Sequence, residues 1–258
     1  LIIANEIPNV VVGTVDPFAK VAGNGIKKLV ESGKNVTVGI LEDECNELNK
    51  RFFTFHQKKR PYIILKWAET TDGFIAPISK EEKSPVWITN PYSRQLVHKW
   101  RTEEQAILVG TNTVLDDNPK LDARDFSGNN PIRIVLDKSG KISENYHVKN
   151  NSQKTIFITE SENFISTENC IYENAIFDIH LISSICEILY KNNIQSVIIE
   201  GGSKTLQSFI DAYLWDEARV FKGDTTFQNG ILAPNISGNP VAGFDIMNDE
   251  LKIFKNYD

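Results

Sequence analysis

Cysteine is scarce in this chain of 258 residues, and so is any concentration of charge of one sign. Three cysteines, Cys45, Cys170 and Cys186, are widely spaced and odd in number, which excludes a disulfide framework and a C-x-x-C metal site. A formal charge of −6, with Lys58–Arg60 as the one dense basic run, removes the basic excess that nucleic-acid binding needs. No apolar run approaches the roughly 18 residues of a membrane span, and no signal segment opens the chain, so membrane partners are not expected and a cytoplasmic setting is. The four histidines, His56, His98, His147 and His180, form no spaced cluster, and no metal ligands are expected within the chain. There is no G-x-G-x-x-G, no internal repeat and no low-complexity tract.

What is present is alternation. Residues 9–60 read as a short βαβα pattern: NVVVGTV, GIKKLVESG, NVTVGIL, then EDECNELNKRFFTFH with an acidic first turn. The charged connection ending at Pro61 is the expected boundary, giving a front segment 1–60 and a larger domain 61–258. The chain opens on Leu1 in mid-pattern, which suggests a piece of something longer.

From 61 onward, strands are expected at 62–69, 106–110, 132–137, 154–159, 196–200 and 217–223, with helices at 91–104, 180–192 and 204–214. Continuous apolar strands of this kind suit a mostly parallel sheet buried on both faces, and the domain is expected to be α/β. The closing ELKIFKNY reads as an edge strand.

The stretch VIIEGGSKTL at 197–206 carries the strongest chemical signal. A strand ending at Glu200, two glycines and a helix start near Ser203 would put bare N–H groups and a positive helix end at the sheet's carboxyl edge, a place for an anion. The glycines would let a ligand approach the main chain; the plain alternative is a tight strand-to-helix turn capped by Ser203. Glu200, at the end of a buried strand, needs a partner: a polar substrate edge or a neighbouring Lys or Arg. Lys66 falls inside the apolar strand of LKWAETTDG, where a carboxylate or an anionic ligand is expected to meet it, unless alternation turns it to solvent. Arg101 and Arg124 flank a strand-end loop and have the fork geometry for phosphate or carboxylate.

Taken together, LKWAETTDG, PVWIT with GTNTVLDDNP, and VIIEGGSKTL with WDEARVF resemble the reductase half of the bifunctional deaminase/reductases of riboflavin biosynthesis. VVVGTVDPFAKVAGNGI, VTVGIL and LNKRFFTFHQKKRPY resemble the tail of the same family's cytidine-deaminase-like domain. The resemblance implies a dihydrofolate-reductase-like fold for 61–258, self-association into a homo-oligomer, and NADPH-dependent reduction of a phosphorylated ribosylamino-pyrimidine to its open ribityl form. It implies cofactor contacts at Ala68, Trp87, Thr113, Asp117 and the run Gly202, Ser203, Lys204, Thr205, Leu206, Gln207 and Ser208. Substrate contacts fall on Arg101, Leu121, Arg124 and Glu200, the two arginines meeting the substrate's phosphate. Lys66 and Glu200, as an ion pair, are the expected catalytic groups.

The sequence also departs from the pattern. Pro85 stands two residues before Trp87 where the family usually has serine, with Ser84 one further back, and KGDTTFQNGILAP replaces the usual stretch after EARVF. The His-x-Glu and Pro-Cys-x-x-Cys signatures of a zinc deaminase are absent, so zinc is expected only in the intact deaminase domain. Two other readings share these residues: an NADPH oxidoreductase of the same fold acting on another heterocycle, and a non-catalytic nucleotide-binding module.

Overall fold

The computed structural model describes residues 1–18, 21, 23–79 and 85–257; Ser84 lies outside the described residues. The chain divides into two units, Leu1–Tyr62 and Ile63–Asp258.

The first unit pairs β1 (Asn9–Val12) in parallel with β2 (Asn35–Val38), with α1 (Asn24–Glu31) between them in sequence. Two helices follow, α2 (Glu42–Leu48) and α3 (Lys50–Lys58). The single helical stretch expected here is broken at Asn49, whose side-chain amide donates to the Cys45 carbonyl at 2.9 Å. A local side-chain bond of this kind competes with the backbone ladder. Glu42, Asp43 and Glu44 occupy the first turn of α2, where carboxylates suit the positive helix end.

The second unit is built on β3 (Tyr62–Glu69), β5 (Ala106–Gly110), β6 (Ile132–Leu136), β7 (Thr155–Thr159), β8 (Cys170–Asn174), β9 (Ser196–Ile199), β10 (Glu217–Lys222), β12 (Ala242–Ile246) and β13 (Asp249–Lys255). Among the described residues these form one nine-stranded sheet in the order β12-β13-β10-β3-β9-β5-β6-β7-β8. The pairs β10–β3, β9–β5, β5–β6, β6–β7 and β7–β8 are parallel, whereas β13 runs antiparallel to β10 and β12 antiparallel to β13. The mostly parallel α/β class therefore stands. One expectation is corrected: ELKIFKNY lies in β13, which is paired on both sides, and the edge belongs to β12. A separate antiparallel pair joins β4 (Phe74–Pro77) to β11 (Gly230–Leu232).

The apolar strands are sealed on both faces because their side chains alternate. Ile63, Leu65, Leu108, Ile134, Ile199, Ala218 and Val220 join one core cluster with α6 (Leu181–Lys191) and α7 (Ser203–Asp211). Ile107, Val109, Val135 and Phe157 point the other way and pack with Val114 of α5 (Thr111–Asp117). Each such side chain, fully buried, contributes roughly 1.5–3 kcal/mol. Lys66 follows Leu65, so the pleat turns it away from α6 and α7. Its register partner on β10 is Arg219, and Phe221 lies opposite Ala68. Over that face lies α4 (Pro91–Glu103), whose Trp100 meets the Phe221 ring at 5.5 Å and the Arg219 guanidinium at 4.5 Å. The start of α4 is firmly set: Asn90 accepts from the N–H groups of Tyr92 and Ser93, and Pro91 takes the first turn.

Candidate functional site

The turn after β9 is shaped by the protein's own backbone. The Glu200 N–H donates to the Leu108 carbonyl at 3.0 Å, holding it against β5. A Cβ on Gly201 would lie 2.6 Å from Val109 Cα and 2.9 Å from the Gly110 nitrogen, so only a bare residue lets the chain pass. Gly202 has φ of 58° and ψ of 137°, which side chains disfavour. The turn thus has its own need for both glycines: close packing explains Gly201 and conformation explains Gly202. Ser203, the alternative cap, is instead the first residue of α7, and no side chain caps the helix behind Gly202. Its earliest turn therefore presents N–H groups at the positive helix end.

Two other predicted positions adjoin that corner. A Cβ on Gly202 would sit 3.5 Å from Thr113 Oγ1, and one on Gly110 would sit 2.8 Å from Thr205 Oγ1, so the starts of α5 and α7 lie side by side. Later residues of the predicted run have structural work. Leu206 is buried in the core, the Ser208 hydroxyl donates to the Lys204 carbonyl at 2.9 Å, and Gln207 accepts from the Asn235 N–H at 2.7 Å. Asp117 closes α5 at its negative end. Ala68 lies near the end of β3, and Trp87, more than half exposed, is covered by the Arg94 guanidinium at 4.6 Å.

Glu200 does not pair with Lys66. The partner is Arg101 on α4, which donates from Nε to Oε1 at 2.9 Å and from Nη2 to Oε2 at 2.7 Å in a bidentate fork. A third donor, Nη1, reaches the Asp122 carbonyl at 2.9 Å. Burial raises the Glu200 carboxyl's pKa, but the charges of Arg101 and Lys66 and the Arg101 hydrogen bonds outweigh it and hold the group at about 2. Glu200 is a fixed carboxylate.

Lys66 is the opposite case. Its ammonium makes no hydrogen bond or ion pair among the described residues and lies 5.8 Å from the centre of the Phe221 ring. Burial lowers its pKa below the usual 10.5; the Glu200 carboxylate opposes the shift and Arg101 adds to it. A cation that is short of partners can give up its proton readily.

The arginines differ in the same way. Arg124 is largely exposed and bonds to Asp122 Oδ1 at 2.5 Å. Its loop is tied to α4 by Arg101 and by His98, whose Nε2 meets Asp125 Oδ2 at 3.1 Å. Burial lowers the His98 pKa, with Arg101 and Arg124 acting in the same direction. Composition alone did not bring His98 forward; its place one helical turn before Arg101 was the available signal. Leu121 sits at φ of 54° with its side chain buried in the cluster that holds Val109 and Val114 and its carbonyl accepting from Gln153 Nε2 at 3.2 Å.

Among the described residues, two concavities are lined by other side chains. One, of about 490 Å³, is lined in the first unit by residues such as Glu42, Asn46 and Lys50. The other, of about 360 Å³, lies at the amino edge of the sheet between Gln105, Ile132 and Ile194. Neither is lined by Lys66, Arg101 or Glu200. No group of three or more His, Cys, Asp and Glu among the described residues is placed to hold a metal ion. Among the described residues no helix is long and apolar enough to cross a membrane.

The RibD C-terminal domain family matches residues 61–225. The riboflavin biosynthesis protein RibD of Aquifex aeolicus is 35% identical over 98% of this chain and 70% of its own length. The crystal structure of a diaminohydroxyphosphoribosylaminopyrimidine deaminase/5-amino-6-(5-phosphoribosylamino)uracil reductase from Thermotoga maritima superposes with a TM-score of 0.87 at 34% identity, covering 99% of this chain and 73% of that one. A riboflavin biosynthesis reductase from Saccharomyces cerevisiae shares the fold, with a TM-score of 0.61 at 20% identity over 81% of this chain and 99% of its own.

Proposed function

The chain belongs to the RibD C-terminal domain family, the reductase of riboflavin biosynthesis, and on that premise we propose that it reduces the ribose of 5-amino-6-(5-phosphoribosylamino)uracil to a ribityl chain at the expense of NADPH. The observation that carries the reading is a Lys66 ammonium with no hydrogen-bond or ion-pair partner among the described residues, in electrostatic reach of a Glu200 carboxylate locked in its ionised form, next to an uncapped helix start. That start fits the phosphates of a dinucleotide, because its N–H groups are left open and the turn before it carries no side chain. Ala68, Trp87, Thr113, Asp117 and the run Gly202–Ser208 are the residues proposed to hold NADPH, which when bound supplies a hydride.

Opening the sugar ring leaves a carbon–nitrogen double bond at the anomeric carbon and frees the ring oxygen as a hydroxyl. The reduction then needs hydride at that carbon and a proton at the nitrogen. Lys66 is the proposed source of the proton: charged, close to Glu200 and with a lowered pKa, it transfers more easily than an ordinary lysine. Glu200, an acceptor at both oxygens, retains lone pairs beyond those that Arg101 engages and can orient the sugar's hydroxyls. Arg124, exposed on its loop, is the proposed contact for the substrate's phosphate. The donor set for zinc does not fit these residues, and no deaminase step is assigned to them.

The experiment is to mix the protein with NADPH and the deaminated pyrimidine phosphate and follow nicotinamide absorbance. Loss of absorbance that depends on the substrate is expected; NADPH that binds and stays reduced would overturn the proposal in favour of a binding module.

A further inference from the structure

We infer that Asp72 is a positioning residue: it latches residues 224–228 to the turn after β3, and the latched segment forms a wall of the cofactor site beside Ala68 and Trp87. The inference rests on the reductase reading above, in which those two residues hold NADPH. Residues 224–228 lie in the stretch where this chain departs from its family's pattern. The segment leaves β10 at a crowded point. The Gly223 N–H donates to the Glu69 carbonyl at 3.0 Å, which carries the β10–β3 ladder one residue further. A Cβ on Gly223 would lie 2.1 Å from the Ile88 carbonyl oxygen. The segment therefore starts against both the end of the strand that carries Ala68 and the residue next to Trp87.

Asp72 gathers the segment in. Its Oδ1 accepts from the Thr70 hydroxyl at 2.5 Å and from the Phe227 N–H at 3.3 Å, and its Oδ2 accepts from the Gln228 N–H at 2.8 Å. Thr70 is fully buried and its hydroxyl accepts from the Phe74 N–H at 3.0 Å, so the carboxylate is itself aimed by a fixed group. These bonds, the one from Thr70 foremost, favour the ionised carboxyl and lower its pKa. Gln228 stands at φ of 59°, a left-handed conformation that is costly for a residue with a side chain, and the bond to Asp72 falls on that residue's own N–H. The carboxylate thus holds a conformation that the chain would otherwise leave. On either side the segment has other attachments. Thr71 donates to the Thr225 carbonyl from its N–H at 2.9 Å and from its hydroxyl at 3.2 Å, and the Ala233 N–H donates to the Gly73 carbonyl at 2.9 Å, where β11 pairs with β4. Loss of Asp72 should therefore free residues 226–229 and leave the sheet intact.

The test compares wild type with Asp72→Ala in limited digestion by chymotrypsin and in NADPH oxidation, with melting temperature as the check on folding. Asp72→Ala should be cut after Phe227 about 10-fold faster than wild type, the change in open population that losing hydrogen bonds to a charged group brings. Saturating NADPH should slow that cut in both proteins. KM for NADPH should rise by about 10-fold, while kcat with both ligands saturating stays within about twofold, the pattern of lost uniform binding. If Asp72→Ala melts far below wild type, Asp72→Asn, which keeps the shape and one acceptor, takes its place in both measurements. Equal cutting at Phe227 would overturn the latch. Faster cutting that NADPH does not slow, or an unchanged KM for NADPH, would overturn the wall. A wild type that oxidises no NADPH would instead strike down the reductase reading and the wall with it, and the rate of cutting at Phe227 would still decide the latch.

Discussion

Two lysines are sunk into the second unit, and their surroundings are opposite. Lys149, at the end of a short 3-10 helix (His147–Lys149), donates to the Tyr172 hydroxyl and lies 3.5 Å from Glu144. The rings of Phe157, Tyr172 and Phe164 surround its ammonium at 4.4, 4.9 and 5.5 Å. Burial works against that charge, but Tyr172 and Glu144 outweigh it and the Lys149 pKa rises. Lys66 has a distant ring and, among the described residues, no hydrogen bond, and its pKa falls. A buried cation whose donors are satisfied serves the fold. One left short of partners within a parallel sheet is held ready for something that arrives.

Exchanging each lysine for methionine should separate these roles. Lys66→Met should cut the rate of NADPH oxidation by about 10²–10⁴-fold, the range for losing a proton-transfer group. Its melting temperature should hold or rise, because an unpaired buried charge is removed. Lys149→Met should do the reverse: about 2 kcal/mol of stability lost with its charged hydrogen bond and ring contacts, measured by denaturant unfolding, and turnover within about twofold of wild type. If Lys149→Met were the inactive variant, the contrast would be broken.

Gly201→Ala should cost about 1–3 kcal/mol of stability, the usual penalty for overpacking, because its new methyl meets Val109 Cα at 2.6 Å. Gly202→Ala makes only an ordinary contact, with Thr113 Oγ1 at 3.5 Å, and should cost about 1–2 kcal/mol from its positive φ. Unfolding curves of the two variants check the order.

The smallest effects are in pH. If the Lys66 ammonium is the proton donor, the basic limb of the pH–rate profile lies below 10.5. The Lys149 contribution to stability, coming from a raised pKa, is fully present below pH 10.5 and fades only as pH rises through its folded value. Glu200, with its pKa depressed, contributes stability above the unfolded value of 4.5 that is lost as pH falls toward 2.

Much of this arrangement is written in local pattern. β3, β5, β6, β7, β9 and β10 are runs of apolar residues closed by polar ones, and each fell within a residue or so of its expected place. β8 and β12 carry Tyr172, Glu173 and Asn174 or Gly243 and Asp245 and are half-exposed, so no apolar run announces them. The site was legible as a set of residues and illegible as a set of partners. Glu200 and Lys66 were visible as charges out of place in apolar strands. That Arg101 would take the carboxylate follows from how α4 lies over the sheet and from β9 falling between β3 and β5, which no spacing along the chain records. The two glycines raise the same difficulty, because the backbone of β5 that explains Gly201 is remote in sequence.

The most direct test of the whole account is a crystal structure of this protein with NADPH and a substrate analogue that cannot be reduced. The account predicts the cofactor's phosphates at the start of α7, the sugar between Lys66 and Glu200, and Arg101 still forked onto the carboxylate. Ligands seated instead in the amino-edge concavity by Gln105 and Ile194, with the Glu200 corner empty, would contradict it.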